Sequence, residues 1–247
     1  MVGLRTSLDE AVIWHDVECA AYGADLDMWR TLAGEYAGEL LDIGAGTGRV
    51  ALDLAALGHD VTALDSDPAL IAALASRARE RGLRVRTSVA DARAFELGRT
   101  VPLVIAPMQV AQLMGGESGR AAMLRCVHAH LQPGGVFAAA LADPLEDIDD
   151  EEVLPPLPDV REEGGWVFSS MPVAMRIDEG STAIDRLRHA VSPHGELTES
   201  MNTVVLDQLT AQQLEQEAAE LFHALPQRTV PEDDRYLGST VVMLEAR

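Results

Sequence analysis

The sequence predicts an α/β protein built on a doubly wound parallel sheet, and two observations lead to this prediction. Short apolar strands alternate with helical segments from residue 39 to residue 141, and a glycine-rich turn over residues 44–48 joins the first strand to the helix after it. Strands that are linked through crossover helices form a parallel sheet with helices on both faces. With 247 residues, of which 47% are hydrophobic, the chain can bury one sizeable core.

The elements of the predicted sheet follow one another at regular spacing. The predicted strands are 39–43, 60–64, 84–89, 101–106 and 136–141, and the predicted helices are 50–57, 68–80 and 117–131. Asp67 suits the N-cap of the second helix because its side chain can accept a backbone N–H, and Pro68 suits the first helical position. Pro107 ends the fourth strand. Before the sheet, residues 7–32 have the pattern of one or two helices.

The alternation stops after the fifth predicted strand. Seven of the ten residues from Asp143 to Glu152 are acidic, and their mutual repulsion predicts a loop over residues 143–158. Longer strands joined by tight turns then predict an antiparallel insertion, with strands at 166–177, 182–191 and 196–206. A helix is predicted from Thr210 to Phe222, with Gln213 completing a capping box, and a last strand over residues 239–246 closes the chain.

These elements predict a single domain, 1–247, that has four consecutive segments. The N-terminal segment carries aromatic residues that the sheet does not need, so we interpret it as a helical cap. The segments are the N-terminal helical cap (1–36), the ligand-binding core (37–142), the acidic loop with the antiparallel lid insertion (143–207), and the C-terminal helix with the closing strands (208–247).

The charge balance argues against several classes of partner. The chain has 19 basic and 40 acidic side chains, a net charge of -21 and no lysine. A field of this sign repels phosphate backbones and anionic lipid headgroups, so we expect neither nucleic acid nor a membrane surface as partner. No apolar run reaches membrane-spanning length, no signal-peptide pattern is present, and Cys19 and Cys126 lie far apart, which together predict a cytoplasmic protein with reduced thiols. A homodimer is left open.

The glycine-rich turn predicts a nucleoside-binding site. Glycine lets a ligand approach the backbone closely, and the start of the following helix presents free N–H groups. Arg49 stands where a dinucleotide-binding pattern has its third glycine, which favours a ligand without a pyrophosphate. Asp65 ends the second strand, where a carboxylate can accept hydrogen bonds from ribose hydroxyls. Asp91 follows the third strand and suits an adenine amino group, and Asp42 suits a ligand that carries an ammonium.

In combination these motifs resemble the ordered set of class I S-adenosylmethionine (SAM)-dependent methyltransferases that act on small molecules. The resemblance covers residues 38–142 and rests on the following residues: Asp42-x-Gly44-x-Gly46-x-Gly48, Asp65, Asp91 and the turn Leu131-Gln-Pro-Gly-Gly135. It implies a Rossmann-like seven-stranded sheet with the N-terminal helical cap and an antiparallel β insertion after strand 5. It also implies SAM as cofactor, S-adenosylhomocysteine as product, and methyl transfer to an oxygen or nitrogen atom of a small molecule.

The resemblance implies roles for individual residues. Gly44, Ala45, Gly46 and Gly48 would wrap the methionine and ribose portions of SAM, and Tyr22 would meet the methionine carboxylate. The other cofactor-binding residues, by the part of SAM that they would contact, are Asp42 for the ammonium, Asp65 and Ser66 for ribose, Asp91 and Ala92 for adenine, and Pro107 and Met108 for the sulfonium. The resemblance implies no metal site.

Candidates for the substrate side are less specific. Gln109, Gln112 and His15 are the catalytic candidates, because polar groups after the fourth strand or on the cap can reach the pocket. The substrate-binding candidates are Trp29, Gln109, Gln112, Arg186 and His189. Packing and ordinary hydrogen bonding are alternative roles for each of them.

Two alternative functions remain open at this level. A SAM-binding protein without turnover has the same motifs, because these report binding and not catalysis. An NAD(P)-dependent oxidoreductase would use the same sheet, but Arg49 and Asp91 argue against it. The fourth strand ends in Ala106-Pro107-Met108-Gln109, which differs from the Asn/Asp-Pro-Pro-Tyr of enzymes that methylate DNA or protein amino groups.

Overall fold

The computed structural model describes residues 7–142, 157–232 and 238–247 and separates the chain into two compact units. The core unit comprises Tyr22–Asp143 and Leu209–Arg247, and the insertion unit comprises Met1–Ala21 and Pro144–Gln208. The predicted insertion, 143–207, begins and ends within one residue of the second stretch of the insertion unit. The predicted cap, 1–36, is divided between the two units after Ala21.

The core unit contains a seven-stranded Rossmann-like sheet. Its strands are β1 (Glu39–Ile43), β2 (Asp60–Asp65), β3 (Val85–Val89), β4 (Val101–Ala106), β5 (Leu131–Ala142), β10 (Phe222–Val230) and β11 (Ser239–Ala246). The strand order is β10-β11-β5-β4-β1-β2-β3, and only β11 runs against its neighbours. The chain direction across the sheet reverses between β1 and β4, which creates a topological switch point.

Helices cover both faces of this sheet. They are α2 (Leu26–Glu35), α3 (Arg49–Ala56), α4 (Pro68–Glu80), α5 (Glu117–His130) and α6 (Ala211–Ala218), with a 3-10 turn at Val110–Leu113. Alternate residues of β1 enter opposite cores: Leu41 and Ile43 pack in the cluster with α5 and α6, and Leu40 in the cluster with α2, α3 and α4. Among the described residues, no helix is long and apolar enough to cross a membrane.

The insertion unit contains a four-stranded antiparallel sheet and helix α1 (Ser7–Cys19). The strands are β6 (Asp159–Glu163), β7 (Trp166–Asp178), β8 (Ser181–Val191) and β9 (Leu197–Asp207), in the order β6-β7-β8-β9. Helix α1 packs on one face of this sheet, where the Trp14 ring meets the edge of the Phe168 ring with centroids 5.7 Å apart. The predicted antiparallel insertion is thus present, with β6 as a strand that the sequence did not reveal.

Two predicted elements of the core were wrong in part. The helix predicted to reach Phe222 ends at Ala218, and Phe222 instead begins β10, where it is buried and pairs with Ala246. The turn predicted after α5 lies inside β5, which already begins at Leu131. In both cases pairing with a distant strand decides the backbone conformation. The acidic stretch 143–156 lies outside the described residues, whereas the capping box of Thr210 and Gln213 is confirmed.

Candidate cofactor site

The predicted cofactor residues meet at the carboxyl ends of the parallel strands. The glycine turn follows β1, Asp65 ends β2, and Pro107 and Met108 follow β4. Strands β1 and β4 flank the switch point, and open α/β sheets bind ligands in the crevice outside it.

The glycine turn has a backbone that side chains would disturb. Gly44 has φ +69°, and a Cβ there would lie 2.5 Å from Cγ2 of Val110 in the 3-10 turn. Gly48 has φ +96°, and a Cβ there would lie 2.8 Å from Cγ of Leu74 in α4. Both positions therefore require glycine for the fold itself, in addition to any role in binding. The Ala45 N–H donates to the Leu64 carbonyl at 3.0 Å, which ties the turn to β2.

Asp65 is held by two backbone hydrogen bonds. Its Oδ2 accepts from the Gly46 N–H at 2.8 Å, and its Oδ1 accepts from the Asp67 N–H at 2.9 Å. Each carboxylate oxygen can accept a second hydrogen bond, so the group is oriented and still able to receive a pair of vicinal hydroxyls. Ser66 lies exposed beside it. The ribose roles of Asp65 and Ser66 stay predictions with a suitable geometry.

Asp42 is a buried carboxyl group without a hydrogen-bond partner. It is 1% exposed, and neither of its side-chain oxygens has a partner within the described residues. Burial raises the pKa of Asp42 to about 8, and the carboxylates of Asp65 and Asp25 act in the same direction. Arg49 and the Ala51 backbone N–H oppose the shift. A buried acid of this kind must hold a proton or receive a cation. The ammonium of a ligand would satisfy it.

Arg49 is used differently from what its place in the motif suggests. Its guanidinium donates to both Asp25 carboxylate oxygens, at 2.5 and 2.8 Å, and to the Tyr22 carbonyl at 3.0 Å. It also lies 5.0 Å from the centroid of the Tyr22 ring. The pair brings Tyr22 to the start of α3, next to the glycine turn. Sequence reasoning missed Asp25, whose only signal was an acidic residue directly before a helix.

Trp29 completes this cluster through a hydrogen bond to Asp25. Its Nε1 donates to Oδ2 of Asp25 at 2.8 Å, and its side chain is fully buried. Packing in the core accounts for Trp29, and its predicted substrate-binding role stays a prediction that this burial argues against. The amphipathic spacing of α2 places Trp29, Leu32 and Ala33 on the buried side.

Asp91 has a partner that the sequence did not suggest. Its Oδ1 accepts from the Arg93 N–H at 2.8 Å, and its Oδ2 accepts from the Arg93 guanidinium at 2.5 Å. The arginine lowers the pKa of the Asp91 carboxyl. Adenine would have to share or replace the guanidinium at this carboxylate, so the adenine role of Asp91 stays a prediction. Ala92 beside it is buried.

Met108 has an unusual backbone conformation. Its φ is +60°, the one positive value at a non-glycine residue in the part of the chain that the structure describes. Side chains other than Asn and Asp rarely adopt this conformation, and such residues concentrate at functional sites. Met108 follows the buried Pro107 at the carboxyl end of β4, where the resemblance placed the sulfonium. The geometry supports this role without testing it.

The two glutamine candidates after β4 lie in different environments. The buried Gln112 accepts from the Ala142 N–H at 2.9 Å and donates to the Ala142 carbonyl at 3.1 Å. These bonds hold the 3-10 turn to the end of β5 and give Gln112 a structural role, so its predicted catalytic and substrate-binding roles stay predictions that this geometry argues against. Gln109 is half-buried, makes no side-chain cap for the 3-10 turn, and stays a candidate.

Three further candidates belong to the insertion unit. Arg186 donates to Asp159 at 2.5 Å and to Ser170 Oγ at 2.9 Å, and Nε2 of His189 lies 2.9 Å from a carboxylate oxygen of Glu199. His15 lies on α1 and is half-buried. These contacts of Arg186 and His189 lie within the insertion unit, and the predicted substrate or catalytic roles of all three residues stay predictions.

Comparison with known proteins finds a domain match and similar folds. Residues 40–135 match the model of a methyltransferase domain family. The solved sugar N-methyltransferase KedS8 of Streptoalloteichus sp ATCC 53650 is 21% identical, with a TM-score of 0.75 over 100% of this chain and 95% of that chain. SAM-bound CalS10 of Micromonospora echinaspora, an amino pentose methyltransferase, is also 21% identical, with a TM-score of 0.67 over 100% of both chains.

A curated protein matches only a segment. Hemagglutinin 1 of Eikenella corrodens is 32% identical over 95 residues, which are 38% of this chain and 31% of that protein. The chain thus spans about a third of the length of this relative, and its name says nothing about the activity of the present protein.

The strand order, the reversed β11 and the glycine turn after β1 define a class I methyltransferase fold. Residues 40–135, less than half of the chain, match the methyltransferase domain model, and the fold of the chain is that of solved SAM-dependent methyltransferases.

The residues of the site fit SAM. Asp42 offers a buried acceptor for the methionine ammonium, and Asp65 offers an oriented acceptor for ribose. SAM carries no phosphate, and this agrees with the two carboxylates of Asp65 and Asp91 at the strand ends. The pyrophosphate of NAD would bring like charge to the same place.

Proposed function

We propose that the protein transfers the methyl group of SAM to a nitrogen or oxygen atom of a small molecule. The observation that carries this proposal is the unpartnered, buried Asp42 directly before the glycine turn. A carboxyl group so placed costs stability unless a cation neutralises it, and SAM presents an ammonium there. The oriented carboxylate of Asp65 supports the proposal from the ribose side.

The protein's part in such a reaction is alignment. SAM supplies a methyl group that its sulfonium already makes electrophilic. The glycine turn and Asp65 would hold the nucleoside, Asp42 would fix the ammonium, and the backbone at Pro107 and Met108 would shape the site after β4. Holding the acceptor atom in line with the methyl group and excluding water account for most of the acceleration that a protein can give to this reaction. A base helps only when the acceptor arrives protonated.

Among small molecules, we propose an amine as acceptor, on a sugar or a sugar-bearing compound. Two of the structural relatives, KedS8 and CalS10, are a sugar N-methyltransferase and an amino pentose methyltransferase. The net charge of -21 attracts an amine, which is cationic at neutral pH, and repels an anionic acceptor. Because SAM is an intracellular metabolite, we also propose a cytoplasmic location, as the sequence predicts.

Calorimetry and a transfer assay test the proposal in sequence. SAM and S-adenosylhomocysteine should bind, and NAD should not. The protein should then move a labelled methyl group from SAM to an amino sugar and leave the matched hydroxyl sugar unmodified. Binding of SAM without transfer to any acceptor in a broad panel would favour a binding protein without turnover. Binding of NAD in place of SAM would favour an oxidoreductase.

A further inference from the structure

Strand β9 forms an edge of the insertion sheet. It pairs with β8 over eleven residue pairs without a bulge, and no other described strand pairs with it. Exposed edge strands are usually protected by lysine, proline or a bulge, because their free backbone groups recruit other strands. Strand β9 has no lysine, proline or bulge, and its charged residues are Glu199 and Asp207. A long and regular edge is therefore available for pairing in any register that keeps these two acids apart.

The side chains of β9 add an apolar stripe to this edge. Leu197, Met201 and Val205 lie four residues apart on the same face, and they are 56%, 58% and 52% exposed. Glu199 and Thr203 alternate with them on that face. Thr203 donates its hydroxyl to Asp185 of β8 at 2.6 Å, and Glu199 lies 2.9 Å from the His189 ring. Thr203 thus has a hydrogen-bond partner within the chain and Glu199 lies beside a histidine, while the three apolar side chains are exposed.

This spacing is complementary to itself. If β9 pairs antiparallel with a second β9 so that Met201 lies opposite Met201, then Leu197 lies opposite Val205. In the same register Glu199 lies opposite the uncharged Thr203, so no two like charges face each other. Directly opposed apolar pairs stabilise antiparallel strands, and opposed like charges destabilise them.

Two neighbouring registers of this strand pairing give less favourable contacts. With Asn202 on the axis, Leu197 would face Asp207 and Glu199 would face Val205. With Thr203 on the axis, Glu199 would face Asp207, which opposes two acids in a chain that already carries a net charge of -21. The Met201 register alone among these three matches apolar residues with apolar residues and avoids an acidic pair.

We infer that β9 pairs with β9 of a second copy of this chain, about a twofold axis at Met201, to give an eight-stranded sheet across a homodimer. A twofold contact uses the same surface on both copies, which is what the self-complementary register provides. A strand from a different protein would have no reason to match this spacing. The inference concerns assembly and does not depend on the proposed function.

Mass measurement with a matched pair of variants tests the dimer. Light scattering on the full chain at tens of micromolar should give twice the chain mass of 26.5 kDa. Met201→Glu places two carboxylates at the axis and should give a monomer with an unchanged circular dichroism spectrum. Val160→Glu introduces the same charge at a 56% exposed position on β6, the opposite edge of the sheet, and should leave the dimer intact.

Disulfide trapping tests the register. In a background with Cys19 and Cys126 changed to serine, Met201→Cys should form an intermolecular disulfide under mild oxidation. Thr203→Cys should not, because its two copies would be offset by four residues, about 14 Å. A monomeric mass at all concentrations, or a dimer that Met201→Glu leaves unchanged, would overturn the inference. Trapping through residue 203 in place of 201 would overturn the register.

Discussion

Arg49 and Asp25 form a buried, bidentate ion pair that joins the first turn of α3 to the residue before α2. The side chains of Arg49 and Asp25 are only 9% and 3% exposed. The pair holds Tyr22 beside the glycine turn, so the geometry at the predicted methionine end of the site depends on a contact between residues 24 positions apart.

Replacing Asp25 should destabilise the fold strongly. Asp25→Asn leaves the Arg49 guanidinium buried without its counter-charge, and breaking a buried ion pair in this way costs about 3 kcal/mol or more. Urea unfolding measures the change. Asp27→Asn is the control, because Asp27 is 91% exposed in its pair with Arg30 and should cost less than about 1 kcal/mol. Equal effects of the two substitutions would show that the buried pair adds nothing.

Asp65 should contribute directly to cofactor affinity. In Asp65→Ala, SAM loses a charge-assisted ribose contact and the Gly46 N–H loses its acceptor, so calorimetry should show binding weakened at least tenfold, about 1.4 kcal/mol. Asp60→Ala is the control, because Asp60 lies at the other end of β2, on the surface beside Arg86. This variant should bind SAM normally. Unchanged affinity in a folded Asp65→Ala protein would remove this residue from the site.

Binding of SAM should depend on pH through Asp42. In the free protein burial raises the pKa of this carboxyl to about 8, so it is mainly protonated at pH 7. An ammonium beside it favours the ionised form, and binding should therefore release a proton. Affinity should rise between pH 6 and pH 7 by a factor approaching ten. Calorimetry in buffers of different ionisation enthalpy counts the proton, and Asp42→Asn should abolish its release. No proton release from the unaltered protein would contradict the assignment.

The Asp42 carboxyl group should also make the free energy of unfolding of the SAM-free protein depend on pH. A carboxyl whose pKa is higher in the folded chain than in the unfolded chain favours folding when protonated. Its contribution is complete below about pH 4 and is lost as pH rises towards 8. Asp42→Asn should remove this part of the pH dependence in urea unfolding between pH 5 and pH 8. A slope that is identical in the two proteins would show that Asp42 ionises normally.

Gln112 and Gln109 should respond oppositely to substitution. Gln112→Ala removes two part-buried hydrogen bonds with the Ala142 backbone and should lower the free energy of unfolding by about 2 kcal/mol. Gln109→Ala should leave stability within about 0.5 kcal/mol. If Gln109 contacts the acceptor, Gln109→Ala should lower kcat/KM. Gln112→Ala should leave kcat/KM unchanged when rates are given per folded protein. A loss of activity confined to Gln112→Ala at full stability would reverse these roles.

The sequence by itself determined the alternation of strands and helices, the glycine turn and the acidic residues at the ends of β1, β2 and β3. Each of these depends on local pattern. Apolar periodicity predicts a strand, and residues at the carboxyl ends of parallel strands lie at the same end of the sheet. Tertiary structure alone decided what Arg49, Gln112 and Trp29 do. Their partners lie four to thirty positions away, and whether a polar side chain meets a ligand or another part of the chain depends on which surfaces pack. The strand that begins at Phe222 is decided in the same way, because pairing with β11 overrides a helical pattern that continues from α6.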